Sequence, residues 1–472
     1  MSLIRSGGIP NEPAVSAFGE ALVSQETPVT QISSEYGLSN ILALTLGGTV
    51  SVTDDLFTTS TGTGSTNVAA AVSRRQTNQR PGQGLSCKFS ALFTTGQPNS
   101  TQQAGLITAG PKFAFGYNGA SFGVLYSFNG ALEIQSLQIT TGGGNETAIV
   151  TVDEVSHSVP ITNSSIQENA YEISTALNLL EDRYTFTSNN DKVTALASLP
   201  DFGSGSFTFS SATAVATWTQ IKAGLIATEL WTPIEDWNGS PNFDIDPTKI
   251  NDFKIQLQGN INFYIKNADT GLFVLVHTVK YINTSTKPSV GNPTFRIGWS
   301  VRNAGNATDV IVKGGYAATF IEGLLKYNQL PNGKANVQEA VGNAFTNILS
   351  FRNRPVFRDV ANRAEIIPLI LSLGTDSTKP VLFEVVASPQ TTDFLNWQYV
   401  DEATSLMEYS TTKVPITGNA IAVFTVGIAT DPIDMQKILE FQVPGAEFSI
   451  AARTTQGAAS AMIASGTWKE DL

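Results

Sequence analysis

The chain has 472 residues, with 28 Lys and Arg against 40 Asp and Glu, a formal net charge of −12 and only 14% charged residues. An acidic balance of this size repels nucleic-acid backbones and anionic membranes and excludes both as principal partners. A single cysteine, Cys87, leaves no intrachain disulfide, and no apolar run approaches the roughly 18 residues of a membrane-spanning helix, so no membrane insertion is expected.

The length exceeds one ordinary core and predicts several domains. Gly, Ser, Thr and Asn fill the intervals between short apolar runs, which suits sheets with uncharged polar outer faces. Residues 1–68 read as an N-terminal arm and first strands: Gly7, Gly8, Pro10, Pro13 and Pro28 break periodicity before the alternating run at 41–46 and its partner at 49–53. The N-terminus shows no apolar signal segment, so the expectation is a soluble chain made in a cytoplasm; if it works outside a cell, something other than a classical signal takes it there, and release of an assembled particle would do so.

Residues 69–140 hold the clearest strand–turn–strand pattern. Leu85, Cys87 and Phe89 alternate with polar neighbours, which makes Cys87 a small core residue, and the pair Asn118 and Gly119 predicts a hairpin turn. Residues 141–215 read as an inserted α+β module of order β-β-α-β-β-β. Its helix is announced by Ser164 with Gln167 or Ser165 with Glu168 at capping-box spacing, and by a stripe of Ile166, Ala170, Ile173, Leu177 and Leu180. Residues 216–326 resume the first sandwich, so that 69–140 plus 216–326 form one discontinuous domain. Residues 327–350 read as a linker with weak helical character at 337–348, and 351–472 as a second β-sandwich. The predicted fold is all-β with a small α+β insert, built of antiparallel β-sandwich or jelly-roll domains.

No catalytic constellation emerges. His157 and His277 lie far apart without a local Cys or His partner, giving a surface His157 and a hydrogen-bonded, partly buried His277. No glycine-rich stretch is followed by the Lys and Ser or Thr of a phosphate-binding loop, and no Gly-x-Ser-x-Gly elbow is present. No cofactor is implied. Residues 236–246 cluster Asp236, Asn238, Asp244 and Asp246, a set of oxygen ligands suited to calcium or, equally, to an Asx-capped turn; the glycine and final Glu of an EF-hand are missing. Trp237, Tyr117 and Asn118 are candidate glycan contacts, since an aromatic face stacks on a sugar ring, although such aromatics also serve as core. Six Asn-x-Ser/Thr sequons, at Asn99, Asn145, Asn163, Asn238, Asn283 and Asn306, fall in predicted loops of a chain rich in these residues.

Residues 80–84 (RPGQG), 89–95 (FSALFTT), 102–106 (QQAGL), 115–119 (FGYNG) and 122–124 (FGV) occur in order. They are followed by 281–285 (YINTS), 291–295 (GNPTF), Gly298 with Trp299, Gly305 with Asn306, 314–318 (GGYAA) and 351–354 (FRNR). This series resembles a signature of virion structural proteins of tailed phages and of large double-stranded DNA viruses, over roughly residues 75–355, with weaker echoes at 396–400. The resemblance implies a capsid, fibre or tail component located in the virion and assembled in the host cytoplasm, with no catalytic residues to carry over. The expected partners are copies of itself, as a homotrimer, other virion proteins, and a host-surface glycan for host attachment. A carbohydrate-binding adhesin of viral or bacterial origin is the alternative reading, and a glycan hydrolase a third.

Overall fold

A computed structural model describes residues 26–79, 83–107, 112–128, 130–181, 183–198, 206–225, 228–240, 244–280, 294–322, 330–391, 393–427, 432–439, 442–456 and 458–471. The fold is mostly β, in antiparallel sheets, with one α-helix among the described residues. The arm at 1–25 and the whole run at 281–293, including the sequon at Asn283, lie outside the described residues, as do Arg80, Pro81 and Gly82. The chain divides into two compact units, 1–130 with 227–325 and 131–226 with 326–472.

The first unit packs a nine-stranded sheet on an eight-stranded one. Its central strand, Leu85–Phe93, shows why the sequence folds this way: Leu85, Cys87, Phe89, Ala91 and Phe93 all point into the core, while Lys88 stays half-exposed on the other face. Phe89 stacks on Phe253 of the neighbouring strand Asn251–Gln258, with centroids 5.6 Å apart. Each fully buried ring of this kind contributes about 1.5–3 kcal/mol of transfer free energy. Trp299 is fully buried as well and satisfies its indole N–H on Ser90 O at 3.0 Å. The arm's last part, Glu26–Ser33, is a strand paired with Tyr316–Glu322. Leu56–Ser60 is also a strand, because its Thr59 hydroxyl and backbone are taken up by Ile311–Gly314.

The predicted hairpin is present between Lys112–Asn118 and Ser121–Phe128. Its two-residue loop is Gly119 and Ala120, with Gly119 at φ 61°, the arrangement in which glycine takes the first central position. Asn118 therefore closes the strand opposite Ser121 and does not sit in the turn.

In the second unit, residues 131–226 form a four-stranded sheet, a three-stranded sheet and the helix Ile166–Leu180 around their own core. The capping choice falls on Ser165, whose Oγ accepts from Glu168 N at 3.2 Å. Ala170, Ile173 and Leu177 form the buried stripe, whereas Leu180 is exposed, because the helix ends before another turn could carry it inward. The flanking strands differ from the sequence reading. Ile134–Thr141 and Val215–Lys222 pair with each other, and the former also with Lys192–Ala197, so both belong to this sheet and not to the first sandwich. Leu137 and Ile139 supply the reason: both are fully buried under the helix-bearing core.

The rest of the second unit is a sandwich of a four-stranded and a six-stranded sheet. Residues 327–350, read as a linker with helical character, instead contain the strands Asn332–Val341 and Thr346–Asn353. The first pairs with Ser460–Asp471, and the Asn336 amide donates to Ile348 O at 2.7 Å. Tertiary pairing overrides the weak helical periodicity. An arginine joins the insert to this sandwich. Arg352 Nε donates to Glu408 Oε2 at 2.6 Å and its Nη2 to Ser188 O at 2.8 Å, while Asn189 Nδ2 donates to Glu408 Oε1 at 2.7 Å.

Candidate functional site

The sequence candidates gather near one end of the first sandwich. Tyr117 lies at the end of its strand, nearly buried, with its ring 5.2 Å from Phe122 and 6.2 Å from Phe93. Burial, then the nearby Asp246 carboxylate, pushes its hydroxyl above the usual tyrosine range. Trp237 packs edge-on against Phe115 at 6.1 Å, lies 6.3 Å from Phe122, and donates Nε1–H to Thr232 O at 3.2 Å. Tyr117 is thus buried in the aromatic end of the core, and Trp237 is half-buried against it. Asn118 remains exposed beside them.

The loop carrying the proposed calcium ligands has a different structural role. Asn238 Oδ1 accepts from Thr278 N at 2.8 Å, and its Nδ2 donates to Thr278 O at 2.9 Å. Gly239 N and Ser240 N donate to Val276 O and Leu275 O, each at 2.9 Å. The loop therefore covers the edge of the strand Phe273–Val279, one of the devices by which a sheet avoids pairing with another chain. Glycine is required at 239, since a Cβ there would stand 2.5 Å from Leu275 O. Asp246 caps a turn, accepting from Thr248 N at 2.9 Å and Thr248 Oγ1 at 2.6 Å, and these bonds hold its carboxyl below the ordinary range. Asp236 and Asp244 are exposed. Among the described residues no three Asp, Glu, His or Cys side chains come together in a metal-holding group.

His277, buried behind this loop, receives Asn238 N–H on Nδ1 at 3.4 Å, and desolvation lowers its pKa. His157 is also buried, contrary to the surface position expected, because its alternating strand turns it inward to within 3.4 Å of Glu181 Oε2.

The densest polar cluster lies in the insert and was not foreseen. Glu133 is fully buried and accepts from Gln135 Nε2, Gln220 Nε2 and Tyr184 OH, each at 2.8 Å. Arg183 grips Glu181 through Nε at 2.7 Å and Nη2 at 2.6 Å, and reaches Asp153 at 3.1 Å. Burial, followed by the Glu133 carboxylate, raises the Tyr184 hydroxyl, and burial also raises Asp153. These groups come from strands well separated in sequence, so no local motif announced them. Mutual satisfaction of this kind describes a scaffold, since the Glu133 carboxylate already has a full set of donors. An apolar cavity lined by Phe351, Ile366, Leu371, Met407 and Trp468 in the C-terminal sandwich has a volume of about 10 Å³, enough for at most one water and far too small for a substrate.

Compared with models of known protein families, with curated proteins and with solved structures, the chain matches none.

Proposed function

We propose that the chain is a structural component of a virus particle, part of a capsid shell, surface fibre or tail, which assembles with copies of itself as a homotrimer and with other virion proteins. One observation carries this reading. Part of the outward face of the four-stranded sheet in the C-terminal sandwich is an uncharged patch, bordered by Asp434, which pairs with Ile370, and by Lys469, two residues beyond Thr467. Across it lie rows of Gly333, Thr467 and Ile370, then Ala335, Ser465 and Ser372, then Val337, Ile463 and Gly374. Val337, Ile463 and Ile370 are exposed, while Met462, Ala464, Leu371 and Leu373 fill the opposite, core-facing side. Exposed aliphatics set among small uncharged residues gain by burial against a like surface. The face suits a subunit contact better than permanent exposure to water.

Two measurements test the reading. Light scattering of the purified chain is expected to give a trimer that Ile463→Lys dissociates, and a monomer at every concentration refutes the assembly. Mass spectrometry of purified particles is expected to find the chain in stoichiometric amount, and its absence there refutes the virion assignment.

A further inference from the structure

The terminal strand of a sheet presents backbone groups that no neighbour takes up, and such an edge recruits other chains unless it is guarded. Several edges of this chain are guarded. Phe273–Val279 is covered by Gly239 and Ser240, and Tyr184–Asn189 by the helix residue Asn178, whose amide donates to Phe186 O at 2.7 Å and accepts from Phe186 N at 2.8 Å. Glu26–Ser33 carries Pro28 and the charge of Glu26, and Asn332–Val341 carries Lys334, Glu339 and a left-handed Ala340 at φ 53°. One end of the six-stranded sheet is the strand Gln398–Tyr399, only two residues long.

The other end of that sheet differs. Thr417–Val426 has ten residues, none charged and none proline, and among the described residues it pairs only with Val381–Gln390. Val423 is 56% exposed, Thr425 is exposed, and Phe424 is only partly covered by the core it packs against. A single guard is present. Val385 pairs with Ala422 and Val386 with Ala420, so Ile421 is a bulge that bends the strand. Beyond the bulge, Ala422–Val426 runs in unbroken register and offers five residues, about 17 Å, of open edge.

A row of amide donors and carbonyl acceptors has another strand as its complement, and charge selects which. The chain carries a net charge of −12, so copies repel wherever acidic surfaces meet, and a contact between copies is favoured on uncharged surface. Ala422–Val426 supplies such a surface. The one charged residue of the neighbouring strand, Glu384, lies opposite Val423. Edge-to-edge pairing of two copies sets their Glu384 carboxylates three strand spacings apart, roughly 14 Å, beyond the screening length of about 8 Å at physiological salt.

We propose that a second copy of this chain adds antiparallel to the six-stranded sheet along Ala422–Val426, about a two-fold axis perpendicular to the sheet at Phe424. In this register Val423 lies opposite Thr425 of the partner subunit, Ala422 opposite Val426 of the partner subunit, and the two Phe424 rings meet on the core side. A shift by one residue sets every core-facing side chain against an outward one, so the pattern of faces fixes the register. The contact is separate from the face of the four-stranded sheet and rests on the assembly reading only for its biological setting: trimers joined through two-fold edges build a shell or an array. Five paired residues bury less than the roughly 1,200 Å² of a stable interface, so the pairing depends on concentration.

The test is disulfide trapping in the full chain, whose native Cys87 is buried. Val423→Cys and Thr425→Cys replace outward side chains; as paired positions they lie about 4.5–5.5 Å apart, within disulfide reach, whereas like positions lie on the longer diagonal. Oxidation of the two variants mixed at high concentration is expected to give at least fivefold more disulfide-linked dimer than either variant alone. It should exceed Leu330→Cys by the same factor, since that position is 86% exposed and reports random collision. Circular dichroism checks that the variants fold. In the unmodified chain, amide exchange over residues 422–426 is expected to slow at least threefold as the chain is concentrated. No excess in the mixture, equal yields from all variants, or exchange independent of concentration overturns the proposal. The trimer and the presence in particles are measured apart, so failure here leaves both standing, and their failure leaves the cross-link to be read on its own.

Discussion

Replacing Glu408 by Ala is the sharpest probe of how the second unit is held together. Both side chains of the Arg352–Glu408 pair are about 95% buried, at 5% and 4% exposure. Removing one member strands the other, and an uncompensated buried charge costs about 3–5 kcal/mol. Two further features set the value within that range. Arg352 keeps a weaker contact to Glu447 at 3.4 Å and its stacking over Trp397 at 4.5 Å, which lowers the loss. The Asn189 amide loses its acceptor, which adds about 1–3 kcal/mol if water cannot replace it. The expectation is therefore a destabilisation of about 4 kcal/mol in urea unfolding. Hydrogen exchange should localise the loosening to the hairpin of Tyr184–Asn189 and Lys192–Ala197, since Ser188 and Asn189 make the contacts. The double variant Arg352→Met with Glu408→Leu removes both charges and should cost less than the sum of the single changes. A loss below about 1 kcal/mol for Glu408→Ala, or strict additivity in the double variant, refutes the reasoning.

Burial pushes the Cys87 thiol up to about 12, so a thiol reagent at pH 8 should leave it untouched in the native chain and label it fully after unfolding; rapid native labelling contradicts the core position. His277 is held below its ordinary pKa and receives Asn238 N–H on its unprotonated Nδ1, so the unfolded state binds the proton more readily. Stability should therefore be fullest above the unfolded value near 6.5 and decline as the pH falls through the lower folded value; a pH slope unchanged in His277→Gln counts against this. Glu146 accepts from Ala212 N, Thr213 N, Thr213 Oγ1 and Ala214 N, bonds that hold its carboxyl at about 2. Its contribution to stability is present above about 4.5 and lost as the pH falls towards 2, and a carbon-13 titration of this carboxyl with a midpoint above 4 refutes the assignment.

Much of the fold was legible because alternation and helical spacing are local. Leu85, Cys87 and Phe89 announced a strand by period 2, and Ser165 with Glu168 announced the helix by capping. The boundary of the insert was not legible, because Ile134–Thr141 reads as a strand in either sheet and only its pairing with Val215–Lys222 decides. The same holds for Asn332–Val341, whose exposed, weakly patterned sequence becomes a strand through its partner Ser460–Asp471. At the candidate site, residue types were read more successfully than roles. Trp237 and Tyr117 do meet at one end of the sandwich, but through Phe122, which sequence spacing could not place between them.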